Sequence, residues 1–379
     1  MGRSRVVATQ IAFMLFASLA GCAGTNESDL SLGPDDRTGA PADDITTTTV
    51  DPSVVCAERL SSAQLAAQIL MVLVSRPSNA QPAVAAGQVG GIALSATQPA
   101  DVGAQITALT AQHHGPVPLI VASDEEGGTV QRLRGVLGAY PSAREVASSR
   151  TPEQAGVDYE AYARRVGELG FTMILGPSID VGSGSALGSR SFGTDPARVA
   201  AYGLSVTAAV QRAGLVPVVK HWPGLGRGDR DTHIGPATVP DIASLRSTDL
   251  VPFDQAIAQL VPAVMVSHAN VPGLTGDAPA SLSSAAIDGE LRGRQGYDGL
   301  VMTDSLGMGA ALRGRTQPEV AELAIAAGAD IAMVSGAAVV PPTHARLVEA
   351  IDTGRLTPQR VREAAARSLH ATGNSCQPM

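Results

Sequence analysis

The sequence predicts an α/β fold, a single (β/α)8 barrel of the TIM type, on three observations. Short runs rich in β-branched residues recur along the 379-residue chain, at 69–74, 91–95, 119–123, 171–175, 216–220, 263–267, 300–303 and 331–334. Each run is apolar on both faces, as a strand covered on both sides must be. Helix starts lie between the runs, and alternation of strand and helix favours a parallel sheet. Eight such units fit a closed barrel better than an open doubly wound sheet, and no G-x-G-x-x-G follows the first run.

In chain order, the first element is not part of the barrel. Arg3 and Arg5 precede an apolar stretch at 6–19. That stretch is short for a bilayer span, which takes about 20 residues, and it reads as a secretory signal. It ends in Leu19-Ala20-Gly21-Cys22, which resembles a bacterial lipobox. The resemblance implies a signal peptide at 1–21, lipidation of the Cys22 thiol, and an exported protein anchored to the outer face of the cytoplasmic membrane or cell envelope. An ordinary signal peptide and a plain membrane anchor are the alternatives. Residues 22–53 are polar and aperiodic, the composition of a flexible tether. That leaves 54–379 for the barrel domain.

Cys56 and Cys376 bracket this domain. Export places them where disulfides persist, and domain termini often lie close together. A Cys56–Cys376 bridge is therefore expected, with two free thiols as the alternative. Within the domain, Thr151-Pro152-Glu153 opens a helix to about 168, with Pro at the first position and an acid in the first turn. Asp195-Pro196 opens another, closed by Gly214. Gln317-Pro318-Glu319 and Thr357-Pro358 open helices ending near 328 and 370.

Composition excludes several classes. A net charge of −8, from 27 basic and 35 acidic residues, argues against nucleic acid as the main partner. A hydrophobic share of 44 % excludes a wholly disordered chain. No metal spacing is present and no cofactor is called for. Without coiled-coil heptads, a monomer is the expectation.

In a barrel of this kind the reactive residues gather at the C-terminal ends of the strands. The run exits here are rich in them. The third leads into Asp124-Glu125-Glu126-Gly127-Gly128, then Gln131-Arg132. The fourth leads into Ser178-Ile179-Asp180 and a loop with Ser189-Arg190-Ser191. The fifth carries Lys220-His221-Trp222-Pro223-Gly224, then Asp231-Thr232-His233. The sixth ends in Ser267-His268, the seventh in Asp304 and the eighth in Ser335-Gly336. Each has a bland reading. Asp is a common turn residue, Glu125 and Glu126 could be solvated, Lys220 paired with an acid, and Trp222 part of the core. Their concentration at one barrel face favours an active site.

The Lys220-His221-Trp222-Pro223-Gly224 run with Asp231-Thr232-His233 resembles the K-H-F-P-G…D-[ST]-H signature of family 3 glycoside hydrolases, in their β-N-acetylglucosaminidase branch. Asp124-x-Glu126-Gly127-Gly128-x-x-Gln131-Arg132 resembles a second element of that branch, and Val301-Met302-Thr303-Asp304-Ser305-Leu306-x-Met308 resembles its nucleophile strand. With the lipobox, the chain is similar to actinobacterial lipoprotein members. The resemblance implies a retaining exo-β-N-acetylglucosaminidase acting on peptidoglycan-derived, GlcNAc-containing glycans or muropeptides. Asp304 would be the nucleophile, forming a covalent glycosyl-enzyme. His233 would be the acid/base, with Asp231 orienting it. Asp124, Arg132, Arg190, Lys220 and His221 would contact the sugar, with His268 a weaker candidate and Glu126 structural. Gly224, Gly226 and Gly228 would let the His233 loop close.

Two positions depart from the family pattern. Leu225 stands where a second His is frequent, and Ser305 where a second Asp often follows the nucleophile. The chain ends soon after its last helix, so the second domain of many family β-glucosidases is not expected. A β-glucosidase, a GlcNAc phosphorylase and a silent sugar-binding lipoprotein are alternatives on the same scaffold. A Schiff-base aldolase using Lys220 leaves the Asp-Thr-His loop unexplained.

Overall fold

The computed structural model describes residues 51–376, apart from 183, 185 and 186. The expected signal segment, Cys22 and most of the expected tether lie outside the described residues. Among the described residues, no helix is long and apolar enough to cross a membrane. The first helix, α1 (Pro52–Arg59), begins inside the stretch expected as tether. Asp51 caps it by accepting the Ser53 N–H at 2.8 Å, and Pro52 opens it.

Eight parallel strands follow: β1 (Leu70–Val74), β2 (Gly91–Leu94), β3 (Ile120–Ser123), β4 (Met173–Ile174), β5 (Val216–Trp222), β6 (Ala263–Val266), β7 (Leu300–Thr303) and β8 (Ala332–Ser335). Each pairs with its neighbours in chain order, and β1 pairs with β8 through Leu70↔Ala332 to Leu73↔Ser335. The bridge Met302↔Ile331 joins β7 to the start of β8 and closes the ring. All eight expected runs are strands, and the bounds differ by a residue or two. The largest difference is β4, only Met173–Ile174 of the expected 171–175, whereas β5 continues through His221 and Trp222.

Alternation along the strands builds two apolar layers. Met71, Ala93, Ile120, Ala122, Met173, Val218, Met265, Met302 and Met333 point into the barrel. Unbranched methionines suit such a lumen because they fill irregular gaps. Val72, Ile92, Leu94, Val121, Ile174, Val219, Val264, Val301 and Val334 face outward against the helices.

Those helices start where local chemistry dictates. Thr151 and Gln154 form a capping box on α2 (Pro152–Glu168), and the Asp195 side chain caps α3 (Pro196–Arg212). Thr316 and Glu319 box α4 (Gln317–Ala326), and Thr357 caps α5 (Pro358–Thr372). Cys56 on α1 and Cys376 beyond α5 are joined by a disulfide, their Cα atoms 5.3 Å apart. The bridge forms because α1 and α5 are neighbours in the closed ring of helices.

Candidate active site

Three strands deliver the central side chains. β3 runs directly into Asp124, β7 into Asp304, and the extension of β5 carries Lys220 and His221 into the barrel mouth. The Lys220–His221 peptide is cis. Lys220 is buried, and its Nζ lies 2.6 Å from Asp124 Oδ1 and 2.7 Å from Glu126 Oε1. Burial pushes the ammonium down, but the two carboxylates outweigh it and hold Lys220 above its ordinary range.

Glu126 is gripped from its other side as well. Arg190 donates to it through Nε at 2.8 Å and Nη2 at 2.7 Å, a bidentate pair. Burial raises the Glu126 carboxyl, yet Arg190 and Lys220 hold it well below the usual carboxylate range. Arg190 Nη2 also donates to His221 Nε2 at 3.1 Å. An arginine only donates, so the His221 ring proton sits on Nδ1, where it bonds Asp180 Oδ2 at 2.7 Å. Asp180 further accepts the Leu225 N–H at 2.6 Å and the Ser178 hydroxyl at 2.9 Å. One ionic network therefore fixes the cavity floor.

Asp124 reaches Arg132 Nη2 through its second oxygen at 3.1 Å. Beneath this pair lies Glu125, fully buried. It accepts the Ser123 hydroxyl at 2.7 Å, the Tyr162 hydroxyl at 2.5 Å, and the N–H groups of Arg132 and Leu133, both at 3.2 Å. Glu125 thus shapes the turn that presents Arg132. Burial pushes its carboxyl up to about 7, against those hydrogen bonds.

Asp304 is tied at Oδ1 by the Ser305 N–H at 2.7 Å. Burial raises its carboxyl, but the His221 and His268 rings, that N–H and Lys220 hold it below the ordinary Asp value. Ser305 is held in turn, its hydroxyl 2.5 Å from that of Ser335 and its carbonyl 2.9 Å from His268 Nε2. The other His268 nitrogen lies 2.7 Å from the Ser281 hydroxyl. Both ring nitrogens are engaged and the ring is fully buried, so it does not line the cavity. The expected sugar contact at His268 is corrected accordingly: it positions Ser305 beneath Asp304.

The fifth exit loop brings a further pair. His233 Nδ1 lies 2.7 Å from Asp231 Oδ1, which also accepts the His233 N–H at 2.9 Å. The loop is rooted by Arg227, whose Nε donates to buried Asp249 at 2.9 Å. Its tip rests on the segment after Asp304: Gly309 N–H reaches His233 O and Ala310 N–H reaches Thr232 O, both at 3.3 Å. Gly226 serves close approach rather than the flexibility expected of it. A Cβ there would lie 2.0 Å from Val181 O.

Asp124, Arg132, Arg190, Lys220, His221, Asp231, His233 and Asp304 all line one cavity of about 500 Å³. A cavity of about 530 Å³ at the opposite end of the strands, beside Tyr297 and His370, holds none of them. Glu125 and Glu126 are buried, not solvated, and Trp222 is core. Asp180 and Glu125 are the site residues whose importance the sequence did not reveal; their only signal was an acid just past a strand end. Among the described residues, no group of three or more His, Cys, Asp or Glu side chains is disposed to hold a metal ion. An ionised carboxylate and a carboxylate-oriented imidazole on one cavity are groups able to serve nucleophilic and proton-transfer chemistry.

Known proteins share this framework. The glycosyl hydrolase family 3 N-terminal domain matches residues 63–371. The β-hexosaminidase LpqI of Mycobacterium tuberculosis is 39 % identical over 317 residues, covering 81 % of this chain and 82 % of the relative. A glycosyl hydrolase of family 3 from Mycobacterium smegmatis superimposes with a TM-score of 0.80 at 35 % identity, over 87 % of this chain and 100 % of that one. A family 3 β-N-acetylglucosaminidase from a Paenibacillus species gives 0.79 at 31 % identity, over 83 % of this chain and 62 % of that one. With the family match spanning nearly the whole barrel and the motif residues converging on one cavity, the chain belongs to the family 3 glycosyl hydrolases.

Proposed function

We propose that the protein is a retaining exo-β-N-acetylglucosaminidase, exported and lipid-anchored through Cys22, that removes terminal GlcNAc from peptidoglycan-derived glycans or muropeptides. The observation that carries this reading is the shared cavity of Asp304 and the Asp231–His233 pair. Relatives named β-hexosaminidase and β-N-acetylglucosaminidase support the sugar, and the signal segment supports the location.

The chemistry follows from which atoms are free. Asp304 Oδ1 is occupied by Ser305, which leaves Oδ2 to attack the anomeric carbon. His233 Nδ1 is occupied by Asp231, which leaves Nε2 for proton transfer. In the first step Oδ2 bonds to the anomeric carbon, the glycosidic C–O bond breaks, and the leaving oxygen takes the His233 Nε2 proton. In the second, water adds to that carbon, Asp304 departs as carboxylate, and His233 takes the water proton. Burial raises the Asp231 carboxyl, but its bonds to His233 hold it below the ordinary Asp value, so it remains the anion that steadies the imidazolium. Asp124, Arg132 and Lys220 would bind the sugar hydroxyls by charge-assisted hydrogen bonds.

The test is p-nitrophenol release from its β-N-acetylglucosaminide. Turnover by the purified protein should fall by orders of magnitude in both Asp304→Ala and His233→Ala. Faster release from the β-glucoside would overturn the choice of sugar, and full activity in either variant would overturn the assigned roles.

A further inference from the structure

The cations on the cavity wall are of two kinds. Lys220 is held by Asp124 and Glu126 at 2.6 and 2.7 Å, Arg132 by Asp124 at 3.1 Å, and Arg190 by Glu126 at 2.7 Å. These charges are neutralised inside the protein. Arg230 lines the same cavity and lacks such a partner. Its ion pair is with Asp229 at 3.8 Å, and Asp229 Oδ1 already accepts the Thr238 N–H at 2.7 Å. Asp231, on the other side, receives both the N–H and the Nδ1 contact of His233. The Arg230 side chain remains 64 % exposed at the rim.

Its place on the loop decides which part of a substrate it meets, a step that rests on the glycosidase reading above. The acid/base must stand beside the glycosidic oxygen. The inner layer of half-buried Asp124 with buried Lys220 and His221 then receives the terminal sugar. Whatever is linked through that oxygen leads outward, past the loop that carries His233. Arg230 sits on that loop, immediately before Asp231.

We propose that Arg230 forms an outer subsite that selects substrates whose leaving group carries a carboxylate. A sugar acid bearing a lactyl ether has this chemistry. A guanidinium offers a carboxylate two parallel N–H donors, a match that an ester or hydroxyl does not provide. The competing explanation is a solvated surface charge, which confers no discrimination between acid and ester. At an exposed rim the selection amounts to about three- to tenfold and weakens with salt.

The experiment compares kcat/KM of the full-length protein on GlcNAc-β-1,4-MurNAc and on the methyl ester of the same disaccharide. The wild type should favour the free acid about three- to tenfold. Arg230→Gln should bring the acid-to-ester ratio close to one, Arg230→Lys should restore part of it, and 0.5 M salt should shrink it. Equal turnover of acid and ester by the wild type would overturn the proposal. So would a loss in Arg230→Gln that is the same on both substrates, because that marks a loop defect rather than lost recognition. Turnover of neither disaccharide nor the aryl glycoside would remove the glycosidase reading instead. Calorimetry with free MurNAc and its methyl ester would then decide the Arg230 assignment, equal affinities overturning it.

Discussion

Glu125 places its pH signature close to neutrality. Its carboxyl is pushed up to about 7 by burial, against an ordinary value of 4.5. Between those values the folded chain keeps a proton that the unfolded chain has lost. Its contribution to stability is therefore complete below about 4.5 and is lost as pH rises through about 7. Glu125→Gln retains an acceptor for the Arg132 and Leu133 N–H groups and removes the buried charge. It should raise stability by about 1–3 kcal/mol at pH 8 and by little at pH 5. Thermal melting at the two pH values checks this, and an equal shift at both would mean that ionisation is not the cause. Glu126, Asp180 and Asp304 behave in the opposite sense. Each is held below its ordinary value, so each stabilises the fold above that value and loses its contribution on acidification.

At the scale of elements, the exit loops are fitted to one another by backbone contact. The loops after β4 and β5 meet at Gly182 and Gly226, where either Cβ would fall within 2.3 Å of the opposite backbone. The His233 loop meets the segment after β7 in the same way, because a Cβ at Gly309 would lie 2.7 Å from Ile234 O. Gly309→Ala should push that loop away from Asp304. The expected result is a kcat on the aryl glycoside about tenfold lower, with Tm within a few degrees of wild type. An unchanged kcat would show that the loop position does not govern the proton transfer. Such contacts explain why Gly226 has little freedom, although a glycine-rich loop suggests it. A tight approach and a hinge demand the same residue for different reasons.

For the whole molecule, the disulfide ties residues 320 apart and links the first helix to the last. A cross-link over so long a span restricts the unfolded chain most, and loss of a native disulfide costs about 2–5 kcal/mol. Cys56→Ser should lower Tm accordingly. Aryl-glycoside turnover per folded molecule should stay near wild type, since the bridge is remote from the strand ends that carry the site. A loss of turnover without a change in Tm would contradict that separation. The ring closes by placing β1 against β8, and the same closure brings α1 beside α5. Of the three cysteines, two are thus joined by the fold, while Cys22 belongs to the proposed anchor.

The division between what was legible in the sequence and what was not has a physical basis. The strand runs, the capped and proline-opened helix starts, and the motif residues at the strand exits are written locally. Burial on both faces, helix capping and a side chain's place at a strand end each depend on a few adjacent residues. The sequence by itself therefore determined the barrel, the order of its elements and eight of the residues on the cavity wall. Contacts between distant strands were decided only by the tertiary structure. It put Glu126 and Asp180 under the floor, turned His268 away from the cavity to hold Ser305, and buried Glu125 against Tyr162. It also left Arg230 weakly paired at the rim. Which acid meets which base depends on how residues tens of positions apart are brought together, and neither periodicity nor spacing encodes that directly.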